Sequence, residues 1–320
     1  MDFKSIVAVV AEDFAAVDTF IKKSLESRVP LINEVGQYIV QGGGKRLRPL
    51  VCLLAARACG YQGDKHIEVA AIIELLHTST LLHDDVVDDS GLRRGRATAN
   101  ARWDNPTAVL VGDYLISRSF QLVVNLRNPV VMDIMAAGTC VIAEGEVLQL
   151  INQRDPATTE ARYMEVIHGK TAKLFEAAAE CGGALGNPAL QEACASYARH
   201  LGAAFQIIDD VLDYTSSAEV MGKNVGDDLA EGKPTLPLIQ AMKVAPEAEA
   251  DLIRQAIRTG GIEHLSEIIA IVQGSGAIDY TRDRARQESE LALAALAPLP
   301  ASAYRTALEN LTQLALARDS

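Results

Sequence analysis

Apolar residues recur along most of this chain at the spacing of α-helices, and no stretch keeps the two-residue alternation of a β-strand. Helices are predicted over residues 2–27, 31–41, 50–59, 66–88, 109–126, 130–152, 158–180 and 189–214. From Thr235 to Ala317, further helices of about ten to fifteen residues are separated by proline and glycine breaks. Residues 91–106 and 216–234 are predicted to be loops, the second a mobile loop over a site.

The segment from His66 to Asp88 is the predicted central helix. Its apolar residues lie all around the helical circumference, which is typical of a helix buried on every side. The chain has 320 residues, of which 49% are apolar and only 5% aromatic, and this composition favours packed helices. The sequence therefore predicts an all-α fold in which residues 1–320 form a single domain.

Charge and cysteine content narrow the possible functions. The formal net charge of −12 argues against general nucleic-acid binding and makes local basic clusters more informative. No CxxC spacing occurs among the cysteines, which is typical of reduced thiols: Cys52, Cys59, Cys140, Cys181 and Cys194. Neither a signal peptide nor a run of about eighteen uncharged apolar residues is found. We therefore expect a cytoplasmic protein without a transmembrane segment.

The central helix ends in the acidic motif HDDVVDD, which contains Asp84, Asp85 and Asp88. Asp84 and Asp88 lie one turn apart on the same helix face, where like charges repel each other unless a cation compensates. A hard divalent cation is the simplest compensation, since Mg²⁺ typically uses one or two carboxylates together with phosphate oxygens. For such a motif alone, the alternative is a solvated acidic helix end.

A second acidic motif, IIDDVLDY, repeats this pattern with Asp209, Asp210 and Asp213 after another apolar helix. Two such motifs are hard to explain as solvated helix faces. We therefore expect two carboxylate walls that face each other across Mg²⁺ ions.

Basic residues stand beside chain breaks or near the acidic motifs, and these are Lys45, Arg46, Arg48, Arg93, Arg94, Lys170, Lys223 and Lys233. Any one of them alone would ordinarily be a solvated surface residue. As a set beside two metal-type motifs, they predict a site for two polyanions, one held through metal and one directly. The GK pairs at Gly44 and Gly169 do not form P-loops, because Met164 replaces the first glycine before Gly169 and Arg46 follows Lys45. An NTPase is therefore excluded.

The segments GGGKRLRP, HDDVVDDSGLRRG, GKTA, FQIIDDVLDY and GKNVGDDLAEGKPTLP resemble, in order and spacing, those of the trans-polyprenyl diphosphate synthases. With VLVGDYL and IAEGEVLQL, the chain is most similar to the bacterial octaprenyl diphosphate synthases that make quinone side chains. The resemblance is dense from Gly42 to Pro237 and thinner elsewhere. It implies an isoprenoid-synthase fold, a bundle of about ten or more helices around a deep central cavity. It also implies a homodimer.

The resemblance further implies a reaction and roles for individual residues. Isopentenyl diphosphate would be joined to an allylic diphosphate, with farnesyl diphosphate as the expected primer and about three Mg²⁺ ions per site. The metal ligands would be Asp84, Asp88 and Asp209, with Asp85, Asp210 and Asp213 as outer or water-mediated partners. The allylic diphosphate would be held by Arg93, Lys170, Lys223 and Lys233, and isopentenyl diphosphate by Lys45, Arg48, His77 and Arg94. Thr171 and Gln206 would turn oxygen dipoles towards the allylic cation formed during the reaction.

Product length is expected to depend on the central helix. Ser79 and Thr80 stand one turn before Asp84 and are small, so no aromatic side chain stops the growing tail there. A helical turn of about 5.4 Å is close to one isoprene unit, so a product of about C40 extends past Leu76 and then bends. On the two following helices, Phe120, Val123 and Met135 are the predicted deeper wall, although ordinary core packing explains these residues equally well.

Three alternatives to this function stay open. The product could be shorter or longer, as in geranylgeranyl, solanesyl or decaprenyl diphosphate synthases. A terpene cyclase of related fold would vary the second acidic motif and lack the basic residues Lys45, Arg48 and Arg94. A non-catalytic partner subunit could dispense with the aspartates, all of which this chain retains.

Overall fold

Helices account for nearly all regular structure in this computed structural model, which describes residues 2–215, 226–261 and 263–317. The first part of the chain forms α1 (Phe3–Ala8), α2 (Ala11–Ser24), α3 (Pro30–Gln41), α4 (Leu47–Ala58), α5 (Lys65–Val87), α6 (Ala99–Arg102), α7 (Asn105–Asn125) and α8 (Pro129–Asn152). The second part forms α9 (Glu160–Val166), α10 (Lys173–Gly186), α11 (Gln191–Thr215), α12 (Asp227–Ala230), α13 (Leu236–Val244), α14 (Glu247–Thr259), α15 (Leu265–Gly274), α16 (Ala277–Ala295) and α17 (Ala303–Leu316). The predicted all-α fold is confirmed.

Proline, glycine and capping side chains set several helix boundaries. Pro30 opens α3, where its missing N–H has no helical partner to lose. Asp104 caps α7, since its side chain accepts a hydrogen bond from the backbone N–H of Thr107 at 2.7 Å. Gly260 ends α14 in a left-handed conformation with φ of 65°.

Residues 91–106, predicted to be a loop, are more regular than the sequence suggested. They contain a small antiparallel hairpin of β1 (Leu92–Arg93) and β2 (Arg96–Ala97), followed by α6. The two turn residues, Arg94 and Gly95, have φ of 53° and 71°, and two positive φ values are typical of the tight turns of hairpins. Strands of two residues are too short to show an alternating pattern, so periodicity could not predict them.

Two other predicted helices are interrupted. The first segment divides between α1 and α2 at residues 9–10. The predicted helix over residues 158–180 contains a six-residue π-helical turn, Ile167–Ala172, between α9 and α10. A short 3₁₀ helix, Pro188–Leu190, precedes α11. Helix α16 has 19 residues, which is longer than the ten to fifteen residues predicted for the helices of this part of the chain.

The contacts among residues divide the chain into two compact units. Unit 1 comprises residues 1–138, 174–198 and 295–311, and unit 2 comprises residues 139–173, 199–294 and 312–320. In unit 1, α5 packs against α2, α4 and α7, and residues on all of its sides are buried, among them Ile72, Leu75 and Leu82. In unit 2, one apolar cluster joins α9 and the π-helical turn to α11 and α13 through Tyr163, Ile207 and Leu236. The single-domain prediction is not tested by this division and stays a prediction.

The helices α7 and α8 are unusually apolar. By length and composition alone, both could cross a membrane. Among the described residues, 39% of the apolar 18-residue stretch of α7 and 28% of that of α8 are buried. Charged residues interrupt both helices, including Asp113, Arg118 and Asp133. Core helices of soluble proteins also reach this length and apolar content, but they are mostly buried, which these two helices are not. The expectation of no transmembrane segment stays a prediction.

Candidate functional site

The first acidic motif lies at the C-terminal end of α5 in unit 1. Asp84 and Asp88 are half-buried, and Asp88 is the residue at which the helix ends, its N–H donating to the carbonyl of Asp84 at 2.8 Å. Asp85, between them, is buried with 5% of its surface exposed. The motif therefore separates into two half-buried carboxylates one turn apart and a third carboxylate that faces the protein.

The buried carboxylate of Asp85 is held by the hairpin. Nε and Nη2 of Arg93, in β1, contact its Oδ1 at 2.8 and 2.7 Å. Burial raises the pKa of Asp85 above its ordinary value, and the hydrogen bond and positive charge of Arg93 act in the opposite direction. Asn100 of α6 donates to the carbonyls of Asp85 at 3.1 Å and of Ser90 at 3.2 Å. These contacts fasten the hairpin to the end of α5.

Several arginines act on Glu74, which lies on α5 before the acidic motif. Arg46 donates to Glu74 at 3.0 Å and to Asp18 at 2.8 Å, and its own backbone is left-handed with φ of 47°. Burial raises the pKa of Glu74, while Arg46, Arg48 and Arg94 lower it. The sequence named Arg46 without a role and did not assign Glu74, although a carboxylate inside an apolar helix signals a buried cationic partner.

Arg48 and His77, both predicted to bind isopentenyl diphosphate, are in direct contact. Nη1 of Arg48 lies 3.1 Å from Nε2 of His77, and its guanidinium stacks 4.4 Å above the ring of Phe175. Because arginine only donates hydrogen bonds, Nε2 must be the unprotonated acceptor nitrogen of a neutral imidazole. Burial, followed by the charges of Arg48, Arg94 and Arg93, holds the pKa of His77 well below its usual value.

A cleft in unit 1 lies beside Glu74, Asp85 and the arginines that contact them. Its lining includes Gly43, Arg46, Glu74, Asp85, Arg93 and Arg94. Arg94 donates to the carbonyl of Gly43, and Gly43 and Gly44 adopt φ of 76° and 140°. Lys45 follows them and is exposed. Arg94 lines this cleft and its charge acts on His77, which Arg48 contacts, so the predicted isopentenyl-diphosphate residues Arg48, His77 and Arg94 lie in one basic region.

The second acidic motif lies at the end of α11 in unit 2 and divides in the same way. Asp209 is half-buried, whereas Asp210 and Asp213 are 3% and 0% exposed. Tyr163 donates to Oδ2 of Asp210 at 2.6 Å, and Gln206 donates to Oδ1 at 2.8 Å. Burial raises the pKa of Asp210 well above its ordinary value, and the charges of Asp228 and Asp209 raise it further.

Asp213 connects the motif to the segment that follows the undescribed residues. Its Oδ2 accepts a hydrogen bond from the N–H of Asp228 at 3.4 Å, and its carbonyl accepts one from the N–H of Gly226 at 3.3 Å. Lys233 forms an ion pair with Glu231. Lys223, predicted to bind the allylic diphosphate, lies outside the described residues. Of the loop predicted over residues 216–234, the described part contains α12.

Lys170 and Thr171 lie on the π-helical turn, not on a regular helix as the sequence suggested. Lys170 Nζ forms an ion pair with Glu146 of α8 at 2.6 Å. The turn approaches α8 so closely that a Cβ on Gly145 would stand 2.5 Å from the backbone nitrogen of Lys170. Thr171 donates to Oε1 of Gln206 at 3.1 Å. Glu146 lies in the segment IAEGEVLQL, where no sequence pattern indicates its pairing with Lys170.

The predicted chain-length residues lie in unit 1. Leu76, Ser79, Val123 and Met135 are buried, and Thr80 and Phe120 are half-buried. The hydroxyls of Ser79 and Thr80 donate to the carbonyls of Leu76 and His77, at 2.6 and 2.9 Å. The hydrogen-bonding capacity of these donors is thus satisfied within α5, so neither hydroxyl needs a donor partner on another helix.

The residues present fit a hard divalent cation that binds together with phosphate. Oxygen donors of the kind Mg²⁺ prefers stand at Asp84, Asp88 and Asp209, the half-buried carboxylates of the two motifs. Within the described ranges, no group of three or more histidine, cysteine or acidic side chains forms a metal site by itself. In each unit taken by itself, donors of this kind suit a metal that completes its coordination with phosphate oxygens and water.

Comparison with known proteins agrees with these features. Residues 29–272 match the family model described as polyprenyl synthetase. The chain is 58% identical to the all-trans-nonaprenyl-diphosphate synthase (geranyl-diphosphate specific) of Rhodobacter capsulatus, over 99% of both proteins. It is 50% identical to the octaprenyl diphosphate synthase of Escherichia coli (strain K12), over 100% of both.

A solved structure shows the same fold. This is the polyprenyl synthase of Caulobacter crescentus CB15 complexed with calcium and isoprenyl diphosphate, with a TM-score of 0.96 and 41% identity, covering 100% of this chain and 98% of that one. The family match spans well over half of the sequence, and both relatives align along their whole length. The chain therefore belongs to the polyprenyl synthetase family of prenyltransferases.

Proposed function

We propose that this protein is a long-chain trans-polyprenyl diphosphate synthase. It would extend an allylic diphosphate with isopentenyl diphosphate, head to tail, to a product of about eight or nine isoprene units. The relatives that support this length are a nonaprenyl and an octaprenyl diphosphate synthase, each aligned along its whole length. The C40 product expected from the sequence lies within this range.

The observation that carries the proposal is that the aspartates within each acidic motif differ in burial. In each motif, carboxylates that are buried accept hydrogen bonds from the protein, as Asp85 does from Arg93 and Asp210 from Tyr163. Asp84, Asp88 and Asp209 are half-buried. Carboxylates retained at the ends of apolar helices in this arrangement suit metal-bound diphosphate, and an acidic surface without function would not need the buried anchors.

Asp84, Asp88 and Asp209 would hold Mg²⁺, which when bound neutralises the charge that develops on the departing diphosphate. Lys170, Lys233 and Arg93 would add positive charge to the allylic diphosphate. Such preorganised charge is commonly the largest contribution to catalysis of this kind. Thr171 and Gln206 are held by hydrogen bonds, so their dipoles keep a fixed direction while the allylic cation exists.

The basic region of unit 1 would bind isopentenyl diphosphate through Lys45, Arg48, His77 and Arg94. Neutral His77 carries its proton on Nδ1 and accepts from Arg48 at Nε2, so it orients the guanidinium without adding charge. Arg48 is further fixed by Phe175. A guanidinium fixed in this way suits the fork-like recognition of a diphosphate.

A homodimer in the cytoplasm, supplying quinone side chains, is the biological setting that we propose. Large apolar side chains on α7 and α8 are exposed, among them Leu110 at 67%, Val124 at 58% and Ile151 at 63%. Apolar exposure on this scale is typical of surfaces that pack against another chain. Gel filtration with light scattering would test the dimer, and cell fractionation would test the location.

Purified protein should convert labelled isopentenyl diphosphate with Mg²⁺ into long prenyl diphosphates, from either a farnesyl or a geranyl primer. Reversed-phase chromatography of the dephosphorylated products gives their length and separates the alternatives. Products shorter than about six units would reject the long-chain assignment, and no extension would reject the enzyme in favour of a non-catalytic subunit. Cyclised hydrocarbons would indicate a cyclase, which is less favoured because the basic residues of unit 1 are all present.

A further inference from the structure

Four side chains in unit 2 form a closed ring with the backbone of the π-helical turn. Tyr163 stands before the turn, Thr171 lies within it, and Gln206 and Asp210 are neighbours one turn apart on α11. The links are Tyr163 to Asp210 at 2.6 Å, Gln206 to Asp210 at 2.8 Å and Thr171 to Gln206 at 3.1 Å. The segment is therefore tied to α11 on both sides of Lys170.

The ring also fixes the direction of the Gln206 amide. Gln206 turns its Nε2 towards Oδ1 of Asp210, and its Oε1 accepts from the hydroxyl of Thr171. Tyr163 donates to the other oxygen of Asp210, and this tyrosine is 6% exposed, packed in the apolar cluster with Ile167 and Ile207. Both oxygens of Asp210 therefore accept hydrogen bonds from side chains of the ring.

We propose that Tyr163 is a positioning residue for the allylic-diphosphate site, an inference that rests on the proposed function. Its hydroxyl closes the ring, holds the π-helical turn against α11 and thereby places Lys170. The same hydroxyl keeps Asp210 directed into the protein, so that Asp209, the preceding residue of α11, is the carboxylate of this motif offered to metal and diphosphate. A π-helical turn is rare and is frequently found at functional sites, and this ring is the device that stabilises it.

Tyr163→Phe removes the hydroxyl and keeps the buried aromatic side chain. The matched control is Tyr280→Phe in the same unit, because Tyr280 donates to Glu160 at 2.7 Å, a hydroxyl–carboxylate bond outside the ring. For wild type and both variants, three quantities are measured. They are the Mg²⁺-dependent binding of inorganic pyrophosphate by calorimetry, the KM of each substrate, and the hydrogen exchange of the amides of residues 167–172.

In Tyr163→Phe, we expect pyrophosphate binding to weaken about tenfold, about 1.4 kcal/mol, as a hydrogen bond to a charged acceptor warrants. The KM of farnesyl diphosphate should rise to a similar extent, that of isopentenyl diphosphate should stay within about twofold, and the turn should exchange faster. Tyr280→Phe should leave all three within about twofold.

Equal behaviour of the two variants would overturn the inference, as would an equal rise of both KM values. Failure of Tyr163→Phe to fold would also overturn it, since the hydroxyl would then be a requirement of the fold as a whole. Prenyl transfer by the unmodified protein tests the proposed function separately, because calorimetry and hydrogen exchange do not depend on turnover.

Discussion

Asp85 and Arg93 form a largely buried ion pair in which Nε and Nη2 of Arg93 share the same carboxylate oxygen, at 2.8 and 2.7 Å. The side chain of Asp85 is 7% exposed and that of Arg93 is 38% exposed. The pair joins the end of α5 to β1, whereas Asp84 and Asp88 on either side remain half-buried. Neighbouring aspartates of one motif should therefore fail in different ways when they are replaced.

Asp85→Asn should lower the free energy of unfolding by about 2 kcal/mol, less than the cost of breaking a fully buried pair because Arg93 is partly exposed. Asp84→Asn should leave stability within about 0.5 kcal/mol and lower the rate of prenyl transfer by about two orders of magnitude or more. Denaturant unfolding and initial rates with Mg²⁺ measure both effects. Equal stability of the two variants would show that the ion pair does not anchor the hairpin.

His77 should make the stability of the protein depend on pH. Its pKa in the folded protein lies well below the ordinary value of 6.5, because of burial and the neighbouring arginines. Below about pH 6.5, the unfolded chain therefore binds a proton that the folded protein does not, and stability is lost as pH falls. His66, whose pKa burial also lowers, acts in the same direction.

His77→Gln retains an acceptor for Arg48 and cannot be protonated. The variant should lose less stability than wild type between about pH 7.5 and 5.5, by at most about 1.4 kcal/mol per pH unit below 6.5. Unfolding in urea at several pH values measures the difference. His264→Gln, at an exposed position, is the control and should follow the wild-type curve. Identical slopes for His77→Gln and wild type would contradict a neutral imidazole at His77 in the folded protein.

The sequence predicted the helices well where their apolar pattern is long, and poorly where one residue changes the geometry. The apolar patterns of α5 and of the segment before Asp209 are long enough to predict the two helices at whose ends the acidic motifs lie. The π-helical turn at Lys170 preserves the apolar character of a helix, so periodicity cannot distinguish it. The hairpin depends on the left-handed backbone of Arg94. Arginine rarely adopts this conformation, so an arginine in the sequence does not predict a turn.

The site was predicted by residue type, and its supporting partners were not. Tyr163 and Asp210 are 47 residues apart, and nothing in the local pattern of either names the other. Glu146 likewise gained its role only through contact with Lys170. The roles of the metal- and substrate-binding residues, and the facing of the two acidic motifs, stay predictions.

Gly145→Ala should disturb the π-helical turn. The added Cβ would stand 2.5 Å from the backbone nitrogen of Lys170 and 2.7 Å from the carbonyl carbon of Gly169, and backbone cannot move aside as a flexible side chain can. We expect a loss of about 1–3 kcal/mol in stability and a higher KM for the allylic diphosphate. Gly274→Ala, where no atom lies within 4 Å of the added Cβ, is the control. Comparable stability of both variants would show that α8 and the turn are not closely packed.

Ser79→Phe should shorten the product, because Ser79 is fully buried on α5 one turn before the acidic motif. Its hydroxyl donates only to the carbonyl of Leu76, so the loss of that bond is small and the added ring is the main change. If the growing tail passes this position, the ring should stop elongation after a few isoprene units while the first condensation continues. Ser266→Phe, at an exposed position of α15, is the control and should keep the wild-type product. Chromatography of the products decides, because a ring placed merely in the core would lower stability and total yield without changing product length. An unchanged length distribution would therefore assign Ser79 to packing alone and move the tail away from this face of α5.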